Sequence, residues 1–416
     1  MATLLQLVPF LLYLLTLSHA QIDSHFGNSL PLLLLPVTKD SLTNQYLTEI
    51  RHGSSLLPTK LVIDLGGPLI WMGCDSYLGS SSPRRISSGS IQCLAAKPIT
   101  ARKRGGDDDG CTLFAENKIS QMGRRGVLVA DTLDGLLVVE GSQSEEVNLS
   151  EYPFLFACAP KPLLNGLAGG ANGIVGLGRT RIAFPSQVSA AFSSEWQFTL
   201  CLSSSNGVVL YEKGYYSSVF GSEISKSLIY TPLLAGPGDS QHEYFINLKS
   251  IRIGGKRLSF DVKHTRLSTI VPFTTMESSI YAIFIKAYEK AAFSMNMKTV
   301  EPVAPFGLCF DSKSIKETQL GPLVPDIELG LQSEMVRWNF HGRNLMVKMS
   351  DEVMCLGFVD GGLNSGVSIV LGGYQLEDMV LHFDVGTSML GFSPSLLKWE
   401  RSCSILKFDS LPVQSL

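Results

Sequence analysis

The sequence predicts an all-β protein built in two halves, and three observations carry that expectation. Short runs rich in Val, Ile, Leu, Phe and Tyr alternate with clusters of Gly, Ser, Pro and Asp, the pattern of strands separated by turns. Of the 416 residues, 45% are hydrophobic and 17% charged, so the chain is long and apolar enough for two domains or one bilobal core. The segment Lys60-Leu61-Val62-Ile63-Asp64-Leu65-Gly66 is loosely echoed by Thr265-Arg266-Leu267-Ser268-Thr269-Ile270, and each copy lies early in its half.

In chain order, residues 1–20 read as a secretory signal. A leucine-rich run from Leu4 to Leu17 precedes Ser18-His19-Ala20, a small-x-small cleavage site before Gln21. That run is short for a membrane span of roughly 20 residues, and no later segment is apolar enough to cross a bilayer, so an exported, soluble mature chain is expected. First-half strands are expected at Leu32 to Val37, Gln45 to Ile50, Lys60 to Asp64, Leu69 to Gly73, Gly126 to Leu137, Pro153 to Ala159 and Gln197 to Leu202. Ser203 to Gly207 reads as a crossing between halves, which puts the lobes at residues 21–202 and 203–416. Beyond it, strands are expected at Val208 to Leu210, Tyr244 to Ile253, Leu308 to Phe310, Leu345 to Met349, Val353 to Val359, Ser368 to Leu371, Val380 to Asp384 and Met389 to Phe392. Helical periodicity is confined to Met276 to Ser294, where Ile280, Phe284, Ala287, Tyr288 and Ala291 recur at three- and four-residue steps, and to the shorter Phe184 to Phe192.

A net charge of −3 gives no basis for a nucleic-acid or anionic-membrane partner. The charge-dense stretch Arg102-Lys103-Arg104-Gly105-Gly106-Asp107-Asp108-Asp109 cancels itself and reads as a solvated loop. Eight cysteines in an exported chain imply four disulfides, with about 105 connectivities open on spacing alone. None forms a C-x-x-C pair and no histidine stands at ligand spacing, so neither metal nor cofactor is expected. His25, His52, His242, His264, His341 and His382 are scattered singly and read as structural. Asn148-Leu149-Ser150 is a glycosylation sequon in a polar stretch. A serine-hydrolase elbow and a phosphate loop are both absent; Gly176-Leu177-Gly178 lacks the spacing of either nucleotide motif.

Several longer motifs span almost the whole mature chain. They are Leu33-Leu34-Leu35-Pro36-Val37-Thr38-Lys39-Asp40, Val62-Ile63-Asp64-Leu65-Gly66-Gly67-Pro68-Leu69-Ile70-Trp71, Gly173-Ile174-Val175-Gly176-Leu177-Gly178-Arg179, Cys355-Leu356-Gly357-Phe358-Val359-Asp360-Gly361-Gly362 and Leu371-Gly372-Gly373-Tyr374-Gln375-Leu376-Glu377-Asp378. Through them the chain resembles the plant pepsin-like aspartic protease superfamily. Within it the resemblance is to the inactive branch of basic 7S globulin-like, γ-conglutin-like and xyloglucanase- or xylanase-inhibitor-like proteins. It implies a bilobal all-β pepsin-like fold with a few short helices and a cleft between the lobes. It also implies the pairings Cys74–Cys158, Cys93–Cys111, Cys201–Cys403 and Cys309–Cys355, and export to the apoplast and cell wall.

The same resemblance locates a catalytic apparatus and shows it altered. Aspartic proteases use two close carboxylates that share one proton. Asp64 matches the first, but Ser268 stands at the second, and Asp261 lies seven residues away on the wrong stretch. Ile270 replaces a glycine, Leu65 a threonine that bonds across to the other lobe, and Gly67 a hydroxyl residue. The flap segment Asn117 to Arg125 has no tyrosine. One carboxylate without an acid–base partner does not run the reaction, so no protease activity is expected and Asp64 reads as a structural acceptor.

Protein binding is then the leading function class. The inhibitor-like members block secreted glycoside hydrolases, whose paired carboxylates invite an arginine. Those arginines are expected just before Leu-Gly-Pro and Ser-Ile-Val; here Gln319 stands at the first place and Gly366 or Val367 at the second. Lys313, Lys316 and Arg343 are the neighbouring cations that would substitute. Two further readings are a seed-storage or structural globulin-like role, and an endopeptidase with residual activity or a cleft lined by Trp71, Leu65 and Ile270 that holds an extended peptide.

Overall fold

Strand-forming runs whose residues are buried on both faces have to be covered from two sides, and the seam between the two halves shows how this is done. The structure, a computed structural model, describes residues 32–53, 56–74, 83–96, 110–140, 143–146, 152–211, 219–259, 265–363 and 366–405. Six antiparallel strands run across the seam. From one edge they are Leu32–Lys39, Asn206–Tyr211 and Gln197–Cys201, then Val380–Asp384, Met389–Phe392 and Ile229–Leu234. The halves meet where Gln197 pairs with Asp384 and Cys201 with Val380. Three strands on each side, matched outward from that joint, give the sheet an approximate twofold symmetry. Phe198 and Phe383 stack across the joint at 4.9 Å between ring centroids, with Tyr244 against Phe383 at 4.8 Å. Ser203–Ser205 turn a hairpin inside this sheet, between Gln197–Cys201 and Asn206–Tyr211.

Each half then repeats one arrangement. In the first, Leu57–Asp64 runs parallel to Ala171–Gly176, which pairs antiparallel with Trp71–Gly73. In the second, Thr265–Leu267 runs parallel to Ile369–Leu371, which pairs antiparallel with Thr274–Met276. The weak sequence echo is therefore a structural repeat, and it delivers Asp64 and Ser268 at the ends of equivalent strands.

Other elements differ from the periodicity reading for local reasons. The long helix is Ser278–Ser294 and buries Ile280, Phe284, Tyr288 and Ala292. It starts two residues later than expected, because Met276 still pairs with Asp360 and Glu277 caps the helix by accepting the Ser279 amide. Tyr244 to Ile253 divides into Phe245–Ile246, which pairs with Thr265–Leu267, and Ser250–Ile253, which belongs to a separate four-stranded sheet. Val353 to Val359 divides at Gly357, where the run changes partner: Val353–Leu356 pairs with Met346–Lys348 and Phe358–Asp360 with Thr274–Met276. Among the described residues no helix is long and apolar enough to cross a membrane.

The four disulfides are Cys74–Cys158, Cys93–Cys111, Cys201–Cys403 and Cys309–Cys355, the pairings that the resemblance implies. Asn148 lies outside the described residues, as do residues 1–31 with the signal segment and Asp261.

The Gly-Gly-Tyr-Gln-Leu-Glu-Asp string is a structural staple. Glu377 Oε1 accepts from Lys39 Nζ at 2.7 Å and from the Tyr46 hydroxyl at 2.9 Å, so the second half grips the first. Lys39 Nζ lies 5.5 Å from the ring centroids of both Tyr46 and Tyr374. Gln375 accepts from the Thr274 amide and hydroxyl and donates to the carbonyls of Gly357 and Asn344. Asp378 accepts from Ser402 and the Cys403 amide, which seats the Cys201–Cys403 bridge. Gly373 has to be glycine, because a Cβ there would lie 2.4 Å from the Tyr46 ring.

Candidate functional site

Asp64 ends its strand beside Gly176, and its Oδ1 accepts from the Gly66 amide at 3.0 Å. Gly67 lies so close to Gly176 that a Cβ would stand 2.7 Å from that residue's Cα, which explains the bare backbone beside Asp64. Ser268 occupies the matching place in the second half. Its amide donates to the Leu371 carbonyl at 3.0 Å, and its Oγ accepts from the amides of Ile270 and Val271, both at 3.2 Å. Both side chains are buried. A carboxylate and a hydroxyl thus stand at the ends of the two equivalent strands.

Both of the bonds that tie the two loops here go through the Thr269 hydroxyl. The Leu65 amide donates to Thr269 Oγ1 at 2.9 Å, and that hydroxyl donates to the Ile63 carbonyl at 2.6 Å. Leu65, the symmetric counterpart of Thr269, has no hydroxyl to return the grip. Ile270 is buried within the first-half apolar cluster that includes Leu47, Val62, Leu69 and Trp71. Leu65, Trp71 and Ile270 are thus core residues rather than the lining of an open peptide groove.

The flap is the hairpin Thr112–Asn117 with Met122–Asp134, and its tip carries Lys118 where sequence reading noted only a missing tyrosine. Lys118 Nζ pairs with Glu243 Oε1 across the cleft, and Arg266 donates to the two oxygens of the same carboxylate at 3.3 and 3.1 Å. The Glu243 side chain is only 3% exposed, and its Cγ would lie 3.1 Å from a Cβ on Gly66, beside Asp64. Burial works against ionisation of Glu243, but Lys118 and Arg266 outweigh it and hold its pKa below the usual carboxylate range. Burial likewise opposes the Lys118 charge, and the nearby Asp64 and Glu243 carboxylates raise its pKa all the same. His242 is pushed down by burial and by Lys118. What remains beside Asp64 is a pocket of about 10 Å³ lined by Gly67, Leu69, Trp71, Glu116 and Lys118, the limit of space for one water.

Sequence reading missed Lys118, Glu243 and Arg266. Glu243 is 125 residues from Lys118, so no local pattern links them. The expected binding residues fall in three places. Lys313 pairs with Glu352 at 3.0 Å in the open. Lys316 and Gln319 share the hairpin of Glu317–Thr318 with Gly321–Pro322, where Gln319 donates to the Leu397 carbonyl at 2.7 Å. Arg343 joins them, since its amide donates to the Leu320 carbonyl at 2.9 Å and its guanidinium to Ser204 at 3.0 Å. Gly366 is on a different, exposed loop ahead of Ser368.

The family model for the N-terminal part of the xylanase inhibitors matches residues 46–211, and that for the C-terminal part matches residues 243–394. The chain belongs to this inactive, pepsin-like family. It is 40% identical over 411 residues to "Probable aspartic proteinase GIP2" of Nicotiana benthamiana, covering 91% of this chain and 92% of that one. Against gamma conglutin 1 of Prunus dulcis the identity is 34%, covering 96% and 95%. The solved structure "Crystal structure of edgp" aligns with a TM-score of 0.81 at 37% identity, covering 91% and 98%. That of basic 7S globulin from soybean aligns with a TM-score of 0.77 at 29% identity, covering 90% and 98%. These matches establish the bilobal pepsin-like fold, and the globulin and conglutin relatives fit a family with non-catalytic members.

Proposed function

We propose that the protein is a secreted, catalytically inactive member of this family that binds and inhibits a cell-wall-degrading glycoside hydrolase in the apoplast. The observation that carries the loss of catalysis is Ser268, which stands in the place equivalent to Asp64. The xylanase-inhibitor family matches support the partner class. Arg343 is the contact residue of this reading. It is exposed and tied to the Leu320 backbone, beside Gln319, so its guanidinium can replace the arginine missing from that segment.

The test is capture on immobilised mature protein from apoplastic fluid and pathogen culture filtrates. The expected result is a glycoside hydrolase whose activity falls on binding, and whose inhibition weakens at least about tenfold for Arg343→Glu. Folded protein that retains no such enzyme overturns the reading. The likeness to gamma conglutin and basic 7S globulin then favours a storage or structural role, tested by abundance in seed. Pepstatin-sensitive cleavage of an unfolded protein in acid, lost in Asp64→Ala, would instead establish residual endopeptidase activity.

A further inference from the structure

We propose that the flap hairpin is a latch, with Lys118 at its tip held by Glu243 of the other half, a carboxylate that Arg266 also pairs, and that it keeps the relict cleft shut. Three features of the geometry converge on it. Glu243 takes cations from both halves, Lys118 from the hairpin tip and Arg266 from the strand leading to Ser268. The Glu243 side chain packs against Gly66, so the clasp lies directly beside the Asp64 loop rather than at a rim. The hairpin is held at its shoulder as well, because Trp71 Nε1 donates to the Glu116 carbonyl at 3.1 Å.

The physical consequence follows from the burial of Glu243. Opening the flap leaves a nearly unexposed carboxylate with Arg266 alone and takes Lys118 into water, whereas in the closed state Glu243 holds both cations. The clasp also ties the halves together where the returning half of the Leu65–Thr269 grip is lost. A ligand reaching Asp64 from beneath the hairpin tip has to break the clasp first.

Hydrogen–deuterium exchange on the mature protein tests this. In Lys118→Met and Glu243→Gln, amides of the 112–121 arm of the hairpin are expected to exchange about tenfold faster than in the parent or more. The seam strands Gln197–Cys201 and Val380–Asp384 should keep their parent rates, which reports that the fold is intact. Lys118→Arg, which keeps the charge, should hold the slow rate. Exchange in the hairpin within about twofold of the parent for Lys118→Met, with the seam protected, overturns the latch. Should Glu243→Gln fail to fold, Lys118→Met decides alone, because Lys118 is a partly exposed residue at a hairpin tip.

Discussion

Replacing Lys39 by methionine removes one charge from the cluster that joins the two halves. Lys39 and Glu377 are 7% and 2% exposed, and their contact is 2.7 Å. Breaking a buried pair from one side costs about 3–5 kcal/mol, because the remaining charge stays out of water. Here the Tyr46 hydroxyl still serves Glu377, and the carboxyl can take up a proton, so about 3 kcal/mol is expected at neutral pH. Burial already raises the Glu377 pKa above its ordinary value against the pull of Lys39. Without Lys39 it rises further. A carboxyl with a raised folded-state pKa contributes stability that is fully present below its unfolded pKa and is lost as pH rises through the folded one. The deficit of Lys39→Met relative to the parent should therefore be small near pH 4 and full by about pH 7. Urea unfolding followed by circular dichroism at both pH values measures it. Adding Glu377→Gln should recover part of the loss at neutral pH, since no charge is then buried alone. A deficit of equal size at both pH values, or one below about 1 kcal/mol at pH 7, would refute the reasoning.

Two further predictions address the seam and the Asp64–Ser268 loops. Cys201→Ser with Cys403→Ser opens a bridge between residues 202 apart in sequence and should cost about 2–5 kcal/mol, towards the upper end because the loop is long; an unchanged urea midpoint would show that the bridge does not staple the seam. Ser268→Asp alone should neither cleave protein nor bind pepstatin, because Ile270 still fills the first-half core and Leu65 still lacks a hydroxyl. Proteolysis by that single variant would show that the second carboxylate was the only missing part.

Much of the fold was legible in the sequence, because strand burial is written locally. Runs such as Val380-Leu381-His382-Phe383 read as strands wherever they pair, and Lys60 to Asp64 announced itself in the same way, within a strand that begins at Leu57. Boundaries were less legible where a partner decides them. Gly357 interrupts an apolar run only because the run changes partner there, from Met346–Lys348 to Thr274–Met276, and Ser203–Ser205 are a turn only because Asn206–Tyr211 returns to Leu32–Lys39. The centre was half legible. Ser268 could be recognised by its place in a repeated motif, whereas the carboxylate that matters beside it is Glu243 and not a residue of that motif.

By itself the sequence determined the strand-rich two-part plan, the serine at position 268 in the repeat of the Asp64 motif and, through the family resemblance, the cysteine partners. These depend on residue type and short-range order, which a linear chain displays directly. Only the tertiary structure decided what holds the halves together and what closes the cleft. Lys39 meets Glu377 across 338 residues and Lys118 meets Glu243 across 125. Pairing at such separations follows from how strands cross in space, and it leaves no periodic trace along the chain.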